Sequence, residues 1–314
     1  MTYKLAVVAV GGNSLIENPK HPELIYQWDT VRQTCRELAQ MVADGWHLVI
    51  THGNGPQVGY NLERVERGIE NGLHTVPLDM LGAGTQGEIG YMLQQAMDNS
   101  LRRLGINRSV LSLITQVRVE RDDPAFDNPT KPIGKYLTES EAKHLRERGW
   151  RIIADGNRGW RRVVASPLPQ EIIEITPIRQ LVDRGHIVIA CGGGGIPVIR
   201  NERGSLRGVE CVIDKDRASG LLAHSLYADL LLISTGVEQV ALNFETEEAQ
   251  SIGEITLNEA ERYILEGHFA KGSMRPKVEA SMRFIQIGGP RAIITNPPNL
   301  RRAVAGETGT HIIS

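Results

Sequence analysis

Leu5-Ala-Val-Val-Ala-Val10 runs straight into Gly11-Gly12-Asn13-Ser14, and this junction decides the fold. Six consecutive apolar residues suit a buried strand and are too few for a helix. The pattern recurs twice. Trp46 to Thr51 leads into His52-Gly53-Asn54-Gly55, and Ile187 to Cys191 leads into Gly192-Gly-Gly-Gly195. Between and beyond these runs lie helical spacings, for instance Val31, Cys35, Leu38, Ala39 and Val42. Leu111 to Val119, Asp229 to Ser234 and Arg291 to Thr295 read as further strands. Strands alternating with helices imply an α/β fold: an open, mainly parallel sheet sandwiched between helices.

Helix starts are also readable. Thr256 with Glu259 and Thr138 with Glu141 match capping boxes, and Thr176-Pro177 reads as a cap followed by proline at the first helical position. From about Arg118 to Pro169 the sequence turns polar and rich in turn residues, as in Asn128-Pro-Thr-Lys-Pro-Ile-Gly134. A hairpin is expected there, Arg151–Asp155 with Trp160–Ala165. We read this stretch as a small projecting subdomain inserted in one domain spanning residues 1–314, because a structureless loop of that length is improbable.

With 314 residues, 41% hydrophobic and 23% charged, the chain can bury a substantial core, and its net charge of −2 gives no sign of nucleic-acid or membrane binding. Cys35, Cys191 and Cys211 are odd in number and form no CxxC pair, which fits a reducing cytoplasm rather than a disulfide framework. The apolar opening lacks the flanks of a signal peptide, and no run reaches the ~20 apolar residues of a membrane span.

In an open parallel sheet, ligands bind beyond the C-terminal strand ends. Three glycine clusters at such ends, two of them leading towards helices, point to a shared anion site. Gly82-Ala-Gly84-Thr-Gln-Gly87 matches GxGxxG in form, but it follows no good strand and no acidic residue lies about twenty positions on. It reads as small residues that let a helix pack closely. GxxxxGK[ST] and GxSxG are both absent. The histidines have no ligand spacing, and His52 reads as a hydrogen-bonding loop residue.

Phosphoryl transfer without a P-loop still requires fixed positive charge. Asp214-Lys215-Asp216 stands between an apolar run and a helix start. Pro276-Lys277 places a lysine in a helix's first turn, where it opposes the helix dipole unless an anion is bound.

Taken in order, Gly11-Gly-Asn13, His52-Gly-Asn-Gly-Pro-Gln-Val-Gly59, Thr85-Gln-Gly-Glu-Ile-Gly-Tyr91, Asn128 to Gly134, Gly159 to Val164, Cys191 to Val198, Val212 to Asp216, Met274 to Val278 and Ala292-Ile-Ile294 resemble the carbamate kinases of the amino-acid-kinase superfamily. As in that family, the first strand lacks the lysine that other superfamily members carry. The resemblance implies reversible transfer between ATP with carbamate and ADP with carbamoyl phosphate, with Mg²⁺ and a homodimer. It implies that Gly11, Gly12, Asn13, Gly53 and Asn54, with Gly55 beside them, surround the phosphoryl group. Lys215 and Lys277 would neutralise its oxygens, and Asp216 would hold the lysines. Asp214 and Met274, with the two lysines, would line the nucleotide, and Lys131 would reach over the substrate from a lid. Ser14, Ala165, Lys271 and Arg275 depart from the family pattern. Two alternatives remain at this stage: a kinase for another small carboxylate such as an amino acid, and a catalytically silent sensor.

Overall fold

The computed structural model describes residues 3–11, 24–147, 149–155, 159–244, 246–270 and 272–314. The chain opens with β1 (Lys4–Val10), α1 (Leu24–Ala43), β2 (Trp46–His52), α2 (Gly55–Glu70) and α3 (Leu78–Arg103). The middle holds β3 (Val110–Ser112), β4 (Gln116–Arg118), β5 (Lys131–Leu137), α4 (Glu139–Glu147), β6 (Ile152–Ala154) and β7 (Trp160–Val164). Then come β8 (Glu171–Ile172), α5 (Ile175–Asp183), β9 (Ile187–Ile189), β10 (Ile196–Arg200), β11 (Leu206–Gly208) and α6 (Lys215–Ser225). The last part contains β12 (Leu230–Ser234), β13 (Val240–Leu242), β14 (Gln250–Ile252), β15 (Glu254–Thr256) and α7 (Leu257–Glu266). It ends with α8 (Met274–Gln286), β16 (Ala292–Thr295), α9 (Leu300–Val304) and β17 (Thr310–Ile313).

The main sheet has the order β15-β17-β16-β12-β1-β2-β9-β3. Its pairings are parallel except where β17 meets β16. Alternation along β1 explains the layers. Leu5, Val7 and Ala9 join a core with residues of α5, α6, α7 and α8, while Ala6, Val8 and Val10 join another with α1, α3 and α9. Side chains of a strand point alternately to opposite faces, so an unbroken apolar run means both faces are covered.

A second sheet, β11-β10-β4-β8, flanks the first, and a third, β5-β7-β6, carries α4. This last unit has a small core of its own, Leu137, Ala142 and Ile152 with Leu145, Trp150 and Trp160. Ile133 and Val164 seat the unit on Val58, Leu62, Leu78 and Leu81 of α2 and α3.

Four local expectations need correction. Leu111–Val119 is two strands, because the Gln86 side chain takes Thr115: its Oε1 accepts the Thr115 N–H at 2.8 Å and its Nε2 donates to the Thr115 carbonyl at 3.1 Å. The backbone leaves the main sheet there and enters the second. Thr176 is no cap, since α5 starts at Ile175 after Glu174, and Pro177 and Pro276 both stand third in their helices. Proline is tolerated there because all N–H groups of the first turn lack intrahelical partners. Within the turn-rich stretch Asn128–Gly134, residues from Lys131 onward instead form an edge strand that runs to Leu137 and accommodates Pro132. Finally, among the described residues of the chain nothing lies within 4 Å of a Cβ at Gly82, Gly84 or Gly87 inside α3; the close approach that this chain itself makes in the helix is Gly90 against Ser112. The boxes at Thr256/Glu259 and Thr138/Glu141 form as read.

Candidate active site

Register brings the strand ends together. Val10 stands opposite His52 on one side and Ser234 on the other. Gly11 follows, buried, whereas Gly12, Asn13 and Ser14 lie outside the described residues. The Gly53 amide donates to the Val10 carbonyl at 2.9 Å, prolonging the ladder by one bond, so it is spent within the sheet. Asn54 caps α2 through its carbonyl, which accepts the Val58 N–H at 2.9 Å. Its side chain donates to Thr85 Oγ1 at 2.8 Å, and Thr85 in turn donates to the Gly82 carbonyl at 2.7 Å. Gly55 opens α2, and among the described residues, its chain neighbours and own helix backbone aside, none comes within 4 Å of where a Cβ would stand. Of the two glycine clusters that are fully described, this one combines open space with a helix N-terminus, the combination that suits an anion.

Gly192–Gly195 does something different. A Cβ on Gly192 would sit 2.3 Å from His52 Nε2, on Gly193 2.1 Å from Asn54 Nδ2, on Gly194 2.2 Å from the Ile213 carbonyl, and on Gly195 2.2 Å from Val117. Gly193, Gly194 and Gly195 also have positive φ. Each position is filled by neighbouring protein, so this loop is a packed backing that fixes Asn54 and the approach to Asp214. Gln86 ties it down by donating to the Gly192 carbonyl at 3.0 Å.

The charged centre is assembled by two helix starts. Asp214 caps α6, its Oδ1 accepting the Asp216 and Arg217 N–H groups at 3.0 and 3.3 Å. That cap brings Lys215 and Asp216 to the first two helical positions. Lys277, from the beginning of α8, donates to Asp216 Oδ2 at 2.8 Å, and Lys215 Nζ forms an ion pair with Asp216 Oδ1 at 3.0 Å. The latter is not aligned as a hydrogen bond, which leaves a buried ammonium with unspent donors. A buried polar group without a partner is costly unless a ligand completes it.

Burial alone would raise the Asp216 carboxyl, but Lys215 and Lys277 overrule it and hold it well below the ordinary carboxylate range. Burial pushes the Lys215 ammonium down, with Lys277 adding to the effect and Asp216 opposing it. His52 is lowered to about 4 by burial, with Lys215 contributing and the hydrogen bond to the Gly53 carbonyl opposing. It is therefore a neutral imidazole; Nδ1 donates to that carbonyl at 3.1 Å and Nε2 is left facing Gly192.

Lys131, at the first residue of β5, donates to Asp214 Oδ2 at 2.7 Å. Asp214, expected at the nucleotide, thus has both carboxylate oxygens engaged within the protein. Met274 opens α8 and packs against the large core. Arg275 is occupied by Glu279 at 2.7 Å, and Glu279 also holds Arg217 at 3.1 Å, joining α8 to α6. Ala165 is buried, and its carbonyl accepts the Val212 N–H at 3.0 Å, on the segment leading to Asp214. Lys271 lies outside the described residues.

Reading the sequence missed several supporting groups. Ser219 Oγ donates to the Lys215 carbonyl at 2.7 Å and meets Thr51 Oγ1 at 2.6 Å, tying the start of α6 to the end of β2. Gln86 and Glu279 likewise act across the fold. The one local signal was Ser219 standing four residues after Lys215, a spacing that suits a side chain bonding back to the helix.

Known proteins resemble the chain along nearly its whole length. The amino acid kinase family model matches residues 4–296. Carbamate kinases of Pyrococcus furiosus and Thermococcus kodakarensis are 47% and 45% identical to the chain, each match covering 99% of both proteins. The solved carbamate kinase of Giardia lamblia bound to AMP-PNP is 39% identical over 99% of each chain, with a TM-score of 0.89. The chain belongs to the amino acid kinase family.

Proposed function

We propose that the chain is a carbamate kinase that transfers a phosphoryl group reversibly between carbamoyl phosphate and ADP, used chiefly to make ATP. One observation carries the proposal: two lysines share a single buried carboxylate where two helices begin beside the strand ends. Two positive charges and one negative leave a surplus of +1, and a pure binding protein has no need to confine such charge over a transferring group.

In the forward direction an ADP β-phosphate oxygen attacks phosphorus, and the bond from phosphorus to the carbamate oxygen breaks with its electron pair staying on carbamate. No proton moves, so positioning and charge suffice. Lys215 and Lys277 neutralise the oxygens of the transferred group, and Asp216 aligns the two ammoniums. Gly11, Gly12, Asn13 and Asn54, with the open α2 start at Gly55, surround the phosphoryl group, and Gly53 shapes that turn. Met274 borders the nucleotide. Lys131 faces carbamate from the projecting unit, which acts as a lid. Mg²⁺ would be held chiefly by the nucleotide's phosphates, where it would supply further neutralisation of charge. Among the described residues no group of three or more His, Cys, Asp or Glu would cage it, and Asp214 and Asp216 already hold lysines.

The enzyme is proposed to be cytoplasmic, consistent with three buried free cysteines and, among the described residues, no helix able to span a membrane. It is proposed to be a homodimer, and the exposed face of α3 with Met80, Gly84, Gly87 and Tyr91 supports this. Glycine inside a helix costs ~1 kcal/mol relative to alanine, which a close-packed second copy would justify.

The test is ATP formation from ADP and carbamoyl phosphate with Mg²⁺, followed by a coupled assay. ATP formation by the purified chain supports the proposal; none, with the fold intact by circular dichroism, overturns it.

A further inference from the structure

Asp214 divides its carboxylate between two tasks. Oδ1 caps α6, and Oδ2 accepts from Lys131, 83 residues away, at 2.7 Å. Lys131 is the first residue of an edge strand of the projecting unit. Two residues on, Ile133 is buried against α2 and α3, and Gly134 approaches Gly59 so closely that a Cβ there would lie 3.4 Å away. The start of β5 is therefore paired with β7, seated on α2 and α3 through Ile133, and tied at its first side chain to this carboxylate. Asp214 is also the residue immediately before Lys215.

We infer that Asp214 is a positioning residue for Lys131: it draws the projecting unit's lysine down to the helix start that carries Lys215 and Asp216, so that the small anionic substrate meets a cation already in place. Asp214 acts through Lys131 rather than on the nucleotide. This rests on the kinase proposal for its kinetic consequence, but not for the latch itself.

Asparagine caps helices about as well as aspartate but carries no charge, so Asp214→Asn removes the ion pair while keeping the start of α6. A hydrogen bond to a charged group is worth enough to alter binding about tenfold or more. Asp214→Asn is expected to raise the KM for carbamoyl phosphate by about that factor, with the KM for ADP changing less than twofold. In a Lys131→Ala background the same substitution should add nothing. Hydrogen exchange in the ligand-free protein reads the latch without activity: amides of residues 131–137 should exchange faster in Asp214→Asn, equally fast in Lys131→Ala, and no faster in the double variant. Should Asp214→Asn melt early, Asp214→Ser, which also caps, is measured in the same way. A raised KM for ADP, multiplying effects in the double variant, or unchanged exchange would overturn the inference. Inactive wild-type protein that shows the expected exchange pattern would sink the kinase proposal alone.

Discussion

Lys277→Met separates the catalytic charge from the fold. Methionine keeps an unbranched stem of similar length and removes only the ammonium, which sits 2.8 Å from Asp216 Oδ2 on a side chain 14% exposed. Two consequences follow from the three-charge centre. For catalysis, one preorganised donor to the transferring phosphoryl group is gone, which costs roughly 3–4 kcal/mol of transition-state stabilisation, or about 10²–10³ in turnover. For stability, the outcome is unusual for a buried ion pair. Removing one partner normally strands the other, at about 3–5 kcal/mol. Here Asp216 keeps Lys215 at 3.0 Å, and the centre passes from a charge of +1 to neutrality while the repulsion between the two ammoniums disappears. Stability should therefore change by no more than about 1 kcal/mol in either direction, a shift in Tm of only a few degrees. Turnover in the coupled assay and thermal melting are read on one preparation. Near-wild-type turnover would refute the role of the charge, and a loss of several kcal/mol would refute the surplus-charge account.

Asp216→Asn should do the reverse on stability, losing about 3–5 kcal/mol in urea denaturation because two buried ammoniums lose their counter-charge; its turnover should fall far more than its nucleotide affinity. Gly193→Ala places a Cβ 2.1 Å from Asn54 Nδ2 at a φ of 69°, so the left-handed strain and the displaced Asn54–Thr85 bond together should cost about 2–3 kcal/mol by the same method. His52 has its folded-state value lowered from 6.5 to about 4, so the unfolded chain takes up the proton first. Its contribution is fully present above 6.5 and is lost as pH falls to about 4, amounting to ~3 kcal/mol; His52→Gln should flatten that part of the stability profile. Lys131→Ala should impair use of carbamoyl phosphate while ADP affinity holds, and glutamate and aspartate should not be phosphorylated, since one lysine between Thr130 and Pro132 leaves an amino acid's ammonium unpaired; turnover with either would refute the carbamate assignment.

Legibility in the sequence depended on whether the cause was local. Lys277 could be singled out because a lysine in a first helical turn conflicts with the dipole, and Thr256 with Glu259 because both halves of the box lie within four residues. The parallel core could be read from Leu5–Val10 because double burial requires a continuous apolar run. What escaped reading was set by distant partners. Nothing near Thr115 announces that Gln86 will take its backbone, and nothing near Gly192–Gly195 announces that His52, Asn54, Ile213 and Val117 fill the space around it. The sequence suggested three equivalent anion-binding turns; Gly12 to Ser14 of the first lie outside the described residues, and the structure divides the tasks of the other two: the Gly53 amide completes a ladder, Gly55 opens a helix start, and Gly192–Gly195 packs behind both. The ion pair between Lys131 and Asp214 was out of reach for the same reason.

That division clarifies why the lysines stand where they do. A helix start carries partial positive charge from its unpaired N–H groups, and a lysine beside it compounds that charge at a cost to the free protein. Here α6 begins with such a lysine and α8 carries one in fourth place; Asp214 caps α6, and Asp216 divides its two oxygens between the two ammoniums. One carboxylate shared by two ammoniums leaves the ligand-free centre electropositive, and Lys215 keeps buried donors unspent. On the proposed function, an incoming phosphoryl group with several charged oxygens would complete these groups at once. The packed glycine backing and the Thr51–Ser219–Lys215 chain keep them from relaxing towards each other in the meantime. The local misfit is thus held by the fold, and under the proposed function it would supply the charge complementarity that phosphoryl transfer requires.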